Sequence, residues 1–170
     1  MATGKPCAII TDIIPPGSAF ARYGYRIGAS TPKENVPFYA FAAAANEYMD
    51  YYGVLVGYAG GGITVKFKWM AASATANPIV MAGAFRRRVD DAEDLDTTAF
   101  TYDYNNGSAA TAPSASGEES YDTIAFTDGA DMDSLADGEA FIFRLWRNQA
   151  DGSDTMTGDA QITALVIEET

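Results

Sequence analysis

The stretch "ITVKFKW", residues 63–69, alternates apolar and polar side chains without a break. Every odd-numbered position from Ile63 to Trp69 is apolar, and the positions between them are Thr or Lys. A period of two is that of a β-strand with one face in a core and the other in water. The glycine cluster "YAGGG" at 58–62 precedes the stretch and predicts a tight turn into the strand.

Seven other segments show similar strand patterns, which makes β-strands the dominant element. They are residues 36–41, 47–56, 77–89, 96–104, 121–127, 139–147 and 161–169. Turn-rich joints separate them, and the only helical signal is one short turn at 132–135 with Asp131 as its cap. Eight such strands predict an all-β fold, an eight-stranded antiparallel β-sandwich of the jelly-roll type.

The first 35 residues fit this pattern poorly. They mix apolar residues with Pro15, Pro16, Pro32 and several glycines. We therefore expect an extended N-terminal arm over 1–35, lying across the sandwich or a neighbouring subunit, and a sandwich domain over 36–170.

Two features indicate a surface that contacts other subunits. In "FIFRLWR", residues 141–147, both faces of the strand are bulky, so Ile142 and Trp146 are expected to pack outside their own core. Tyrosines at alternating positions 102 and 104 are common where a sheet packs on another subunit. The predicted interface residues are Trp146, Ile142, Arg86, Arg87, Arg88, Tyr102 and Tyr104.

The arginine triplet has two interpretations, because it stands directly before the acidic run "DDAEDLD" at 90–96. Charge compensation between a strand end and its loop is favoured over a docking patch for an acidic neighbour. The tyrosines also have two interpretations, and core or interface packing is favoured over a sugar-stacking platform. That platform would use Tyr48, Tyr51, Tyr52, Tyr58, Tyr102 and Tyr104.

The segment "DGSDTMTGDA", residues 151–160, raises the question of a metal site. Asp151, Asp154 and Asp159 are weak candidate ligands for calcium, which prefers six to eight oxygens. Their spacing departs from that of a helix–loop–helix calcium loop, and no glutamate closes it. Asp and Ser before a strand also bond their own backbone, and this turn chemistry is the favoured interpretation.

Catalytic arrangements find little support in the sequence. The chain has no histidine, so the usual base of a serine or cysteine nucleophile and the commonest zinc ligand are missing. Cys7, the single cysteine, is expected to be an ordinary small apolar residue. Acids such as Asp90 and Glu93 are too numerous for any pair to stand out as a glycosidase site. We predict no enzyme activity, no catalytic residue and no cofactor.

The charge distribution argues against a nucleic-acid partner. Residues 1–89 contain 9 Lys and Arg against 4 Asp and Glu, whereas residues 90–170 contain 2 against 19. A nucleic-acid binder needs a net basic face. No apolar run is long enough to span a bilayer, and the N-terminus lacks the pattern of a secretory signal, so synthesis in a cytoplasm is expected.

Four pieces of the chain, in order, resemble a family of small virion proteins from tailed bacteriophages. They are "YAGGGITVKFKWMAASAT" (58–75), "NPIVMAGAFRRRVDD" (77–91), "TDGADMDSLADGEAFIFRLWR" (127–147) and "DTMTGDAQITALVIEET" (154–170). The likeness covers about residues 50–170. This chain departs from the family pattern at Trp146. In the family, the strands before the last loop carry more basic residues and no tryptophan at this position.

The resemblance implies a β-sandwich of jelly-roll type that forms trimers on phage heads or fibres, and it carries over no catalytic residue. The expected function is that of a non-enzymatic virion protein, a capsid decoration or fibre component made in the host cytoplasm. Its expected partners are further copies of itself, as a homotrimer, and the major capsid or another virion protein. The alternative is a receptor- or glycan-binding module of a phage fibre.

Overall fold

The computed structural model describes residues 4–73, 76–88, 94, 96–97, 99–100 and 103–170. The first seven strands are β1 (Lys5–Pro6), β2 (Ala8–Ile14), β3 (Arg22–Ile27), β4 (Asn35–Phe41), β5 (Tyr48–Leu55), β6 (Ile63–Ala71) and β7 (Pro78–Ile79). The others are β8 (Met81–Arg88), β9 (Asn105–Asn106), β10 (Ala110–Thr111), β11 (Ser120–Phe126), β12 (Ala140–Arg147) and β13 (Ala160–Glu169). One short 3-10 helix spans Ala130–Met132.

The strands form two main antiparallel sheets, which confirms the predicted all-β class. Sheet A has the order β11-β6-β13-β4-β3, and β1 pairs with the end of β13. Sheet B has the order β2-β5-β12-β8-β9. β7 and β10 form a separate two-stranded ladder. No helix in the described parts of the chain is long and apolar enough to cross a membrane.

The core lies between the two sheets, where the alternating side chains of their strands meet. All four apolar side chains of the "ITVKFKW" pattern are buried on one face of β6. From sheet B, Phe85 packs its ring against Phe126, Phe141 and Phe143, with centroids 4.9, 5.5 and 4.8 Å away. Gly83 makes room for this cluster, because a Cβ there would lie 2.5 Å from the Phe143 ring.

Six of the eight predicted strands are confirmed as single strands, and the other two differ. The segment 77–89 is divided into β7 and β8 at Val80, whose N–H donates to the Asp154 carboxylate at 2.9 Å instead of to a neighbouring strand. The described residues of 96–104 lie in no strand, and β9 begins only at Asn105. Val89 and Tyr102 belong to the stretches outside the described residues.

The predicted helical turn is present but begins earlier, at Ala130. Gly129, with a φ of 100°, stands at its N-cap position, and no side chain caps the helix. Asp131 lies inside the turn, where its carboxylate accepts hydrogen bonds from the Thr127 N–H (2.7 Å) and from Asn105 (2.9 Å). It therefore links the turn to the end of β11 and to β9.

The first 35 residues differ most from expectation, because they contain three strands instead of an extended arm. β2 pairs with β5 at the edge of sheet B, and β3 pairs with β4 at the edge of sheet A. The prolines at 15 and 16 follow β2 directly, where a missing N–H does not interrupt a ladder. The N-terminal segment thus completes one edge of each sheet.

Candidate interaction site

The outer face of sheet B carries most of the predicted interface residues. On β12, Phe141, Phe143 and Leu145 point into the core, as expected, and the residues between them face outward. Across the ladder, Trp146 lies opposite Tyr48 of β5 and Ala82 of β8. The outward row of β12 therefore meets neighbours from both adjacent strands.

An ion pair neutralises the charge at the centre of this face. The Arg144 guanidinium donates to both Asp50 oxygens, at 2.6 and 2.7 Å, and Asp50 is buried. The hydrogen bonds with Asp50 raise the pKa of Arg144. Phe100 covers the guanidinium, with its ring centroid 4.2 Å from Cζ. Phe100 thus lies over the outer face of sheet B at this point.

Trp146 is half-buried within an aromatic cluster. Its ring lies 5.8 Å from that of Tyr48 and 5.2 Å from that of Tyr104. Tyr104 is 53% exposed, so one side of the cluster faces solvent. These two residues remain available for a partner, and Tyr102 lies outside the described residues.

Two other predicted interface residues are already covered inside the subunit. Ile142 faces outward as predicted, but it is only 8% exposed, and Arg86 beside it is also buried. Ile142 lies between Arg86 and Tyr52 in the register, and Phe100 lines the same cavity. Neither side chain therefore fits the expected role of a contact for another molecule.

The arginine triplet does not form a continuous basic patch. Arg86 and Arg88 lie on the outer face of β8, and Arg87 points to the opposite face, where it forms an ion pair with Glu139. The hydrogen bond from Arg87 lowers the pKa of Glu139 and raises that of Arg87. The Arg87 N–H donates to Asp133 at 2.9 Å. Charge compensation within the subunit accounts for Arg87.

The acidic segment before β13 is organised around a buried arginine. The Arg147 side chain is 0% exposed and donates to the Asp154 carboxylate through Nε (2.8 Å) and Nη2 (2.5 Å). Nη1 donates to the Gly158 carbonyl at 2.7 Å, and Nη2 also bonds the Met156 carbonyl. Asp154 is therefore the counter-ion of Arg147 and the acceptor for Val80.

The other two candidate metal ligands point elsewhere. Asp151 accepts a hydrogen bond from the Ser153 N–H at 2.8 Å, which is the expected turn chemistry. Asp159 lies 3.5 Å from the exposed Arg22 guanidinium. Among the described residues, no group of three or more acidic or cysteine side chains is arranged to hold a metal ion.

Burial raises the pKa of the Asp122 carboxyl group. It lies on the core-facing side of β11, opposite Phe67 of β6, and accepts from the Thr123 N–H at 2.7 Å. A glycosidase requires two converging carboxyl groups. Asp90, Asp91 and Glu93 lie outside the described residues.

The exposed tyrosines are mostly not those that the sequence singled out. Tyr51 and Tyr58 are buried, and burial raises the pKa of both phenols, that of Tyr58 to about 12. The most exposed are Tyr23 and Tyr121, at 67% and 68%, and Tyr25 at 57%. The alternating tyrosines in "RYGYRI" at 22–27 are the sequence feature from which Tyr23 and Tyr25 could have been predicted to lie on one face of a strand.

Tyr121 borders a groove of about 520 Å³ on the outer face of sheet A. Lys68 lies over the Tyr121 ring at 5.3 Å and pairs with Glu119 at 2.6 Å. The half-exposed Val166 forms part of the floor. The groove therefore combines an aromatic ring with paired charges.

Cys7 is expected to be unreactive in the folded protein. It is buried in the core, and burial, followed by the charges of Glu169 and Glu168, raises the pKa of its thiol to about 11. Because the thiolate is the reactive form, we expect no labelling by a thiol reagent at pH 8, and one thiol per chain after denaturation. Stoichiometric labelling of the native chain would contradict this assignment.

Comparison with known proteins assigns no family to the chain. No protein-family model matches it, and no curated protein matches it. One similar solved structure is described as the enzymatically active domain of tailspike protein 4 of bacteriophage CBA120. The sequences are 10% identical, the TM-score is 0.39, and the match covers 92% of this chain but only 19% of that one. At this TM-score the likeness assigns neither a fold nor an activity.

Proposed function

We propose that this chain is a non-enzymatic structural protein of a tailed-bacteriophage particle, a capsid decoration or fibre component that assembles as a homotrimer. The observation that carries the structural role is the position of its exposed apolar side chains. Of the twelve large ones among the described residues, eight lie between residues 9 and 36. The N-terminal segment therefore contributes most of the described exposed apolar surface, and such surface marks interaction sites in soluble proteins where it is contiguous, as along β3. The phage assignment is supported by the four sequence motifs of residues 58–170.

The strand orders support the proposal that the sandwich is of the jelly-roll type. Sheet A contains the run β4-β13-β6-β11, and sheet B contains β5-β12-β8-β9. These eight strands alternate between the sheets along the chain, apart from the consecutive pair β8 and β9. Two interlocked Greek keys of four strands each give this order. β1, β2 and β3 are additions at the edges.

The absence of enzyme activity is supported by how the described acidic side chains are used. Asp154, Asp50 and Glu139 each neutralise an arginine of the same subunit. Asp122, whose pKa is raised by burial, has an apolar residue as its strand partner. Groups used in this way stabilise the fold and are not poised for proton transfer.

The second predicted partner is the major capsid protein or another virion protein. The half-buried Trp146 and the exposed Tyr104 are the predicted interface residues best placed to contact it. Aromatic residues are enriched in such contacts because they bury a large area with few rotatable bonds. The chain would be synthesised in the host cytoplasm and act in the virion.

Purified particles test this proposal. We expect the chain to co-purify with intact particles through a density gradient, in a fixed copy number that is a multiple of three, and to appear as density on the particle surface. An empty capsid lacking the chain should remain assembled if the chain is a decoration component. A chain found only in the soluble fraction of the lysate would contradict a virion role.

The alternative, a glycan-binding module, is favoured by one observation, the groove beside Tyr121. Sugars stack on exposed aromatic rings, and Tyr121 is the most exposed large apolar residue described. We expect no glycan to be retained on a glycan array by the intact chain. Binding that is lost in Tyr121→Ala and kept in Tyr104→Ala would support the alternative and contradict the structural proposal.

A further inference from the structure

β3 extends sheet A beyond the area that sheet B covers. Tyr23 pairs with Tyr39 of β4, and Tyr39 lies on the side of the sheet where Ile162 is buried in the core. Tyr23, Tyr25 and Ile27 share that core-facing side, and yet each is more than half exposed. We call these three side chains of β3 the overhang. Its exposure means that the described residues of sheet B leave it uncovered.

The backbone edge beside the overhang is also unpaired. β3 is the last strand of sheet A, and its second edge has no partner strand in the described residues. Exposed edge strands are usually blunted by proline, lysine or inward-pointing charge. The sequence of β3, "RYGYRI", contains none of these on the overhang side, because Arg26 turns to the other face and donates to Gln161 (2.8 Å) and the Ala71 carbonyl (2.7 Å).

The exposed side chains of the overhang supply part of the area that a subunit contact needs. Tyr23, Tyr25 and Ile27 are each more than half exposed, and burying them removes roughly 300–400 Å² from water. A standard interface buries about 800 Å² per partner, so strand pairing along the edge of β3 has to supply the rest. Ile9 and Ile14, which pair with Val54 and Asp50, lie on the outer face of sheet B and do not belong to this surface.

The charge of this segment favours a second copy as the occupant. Residues 1–35 contain four basic and two acidic residues, a net charge of +2, and the rest of the chain has a net charge of −14. Two copies of so acidic a protein repel one another least where the N-terminal strands meet. Most soluble oligomers are also built from identical subunits with closed symmetry.

We propose that a second copy of this chain covers the overhang, with its own N-terminal strands packed on Tyr23 and Tyr25 and paired along the edge of β3. This inference rests on the self-association in the proposed function and places it on one surface. It gives the N-terminal 35 residues the role of the subunit contact. The Trp146 cluster on sheet B then remains available to a different virion protein.

The experiment compares two double variants that remove equally exposed tyrosines. Tyr23→Ser with Tyr25→Ser alters the overhang, and Tyr104→Ser with Tyr121→Ser alters the outer faces of the sandwich as the matched control. The paired exposures are 67% and 68% for Tyr23 and Tyr121, and 57% and 53% for Tyr25 and Tyr104. Light scattering on a sizing column measures the mass of each, and far-UV circular dichroism measures folding. Ile27→Ser is a second overhang variant, used if the first fails to fold.

We expect the unaltered chain and the control variant to be oligomers and the overhang variant to be a folded monomer. An overhang variant that keeps the oligomeric mass would overturn the inference and leave the proposed function intact. Dissociation of the control variant alone would also overturn it, in favour of a contact through the outer faces of the sandwich. If the unaltered chain is a monomer, self-association itself is contradicted. The same conclusion holds if the unaltered chain forms a larger complex only after a purified capsid protein is added.

Discussion

Replacing Asp154 by alanine is expected to lower the free energy of unfolding by about 3–5 kcal/mol, because it leaves a buried arginine without its counter-ion. Arg147 is 0% exposed, so water does not reach the guanidinium in the folded state. The substitution also removes the acceptor for the Val80 N–H at the break between β7 and β8. Urea denaturation followed by tryptophan fluorescence measures the change.

The matched control is Asp159→Ala in the same segment. Its partner Arg22 is largely exposed and lies 3.5 Å away, an arrangement worth less than about 1 kcal/mol. We expect the Asp159 variant to unfold at nearly the same urea concentration as the unaltered chain. Equal losses of unfolding free energy in the two variants would contradict the assignment of Asp154 as the counter-ion of a buried arginine.

The second large effect is expected at the centre of the core, where Phe85→Ala should cost about 3–5 kcal/mol. The loss combines the transfer free energy of the ring with the cavity left among Phe126, Phe141 and Phe143, which contact it from both sheets. A well-packed site of this kind collapses poorly around a missing ring. Thermal or urea unfolding provides the measurement.

A matched aliphatic truncation on the surface, Val166→Ala, checks that the effect comes from burial. Val166 is exposed on the outer face of sheet A, and such substitutions usually change stability by less than about 0.5 kcal/mol. A Phe85→Leu variant should fall between the two, because it fills part of the cavity. A Phe85→Ala variant that is as stable as Val166→Ala would mean that the two sheets do not meet at this point.

Strands with one buried face could be predicted from the sequence, and other features could not. The alternation over 63–69 was sufficient because one face of β6 is buried along its whole length. β2 and β3 escaped the prediction because edge strands leave apolar side chains exposed on either face, so no clean pattern appears. The break at Val80 depends on a hydrogen bond to a residue 74 positions away.

The candidate site was limited in the same way by contacts distant in sequence. Ile142 and Trp146 share a face of β12 and look equivalent in the sequence. Only the placement of Phe100 and Arg86 decides that Ile142 is covered. Likewise, Asp151, Asp154 and Asp159 are indistinguishable by composition, and only the buried Arg147 gives Asp154 its particular role.

Sedimentation equilibrium of the unaltered, purified chain at micromolar concentrations tests the central claim most directly. The claim is that apolar surface left uncovered by the sandwich is covered by sister molecules. One chain has a mass of 18.1 kDa, so the expected trimer has three times that mass, about 54 kDa. A single species of 18.1 kDa at every concentration measured would contradict the account.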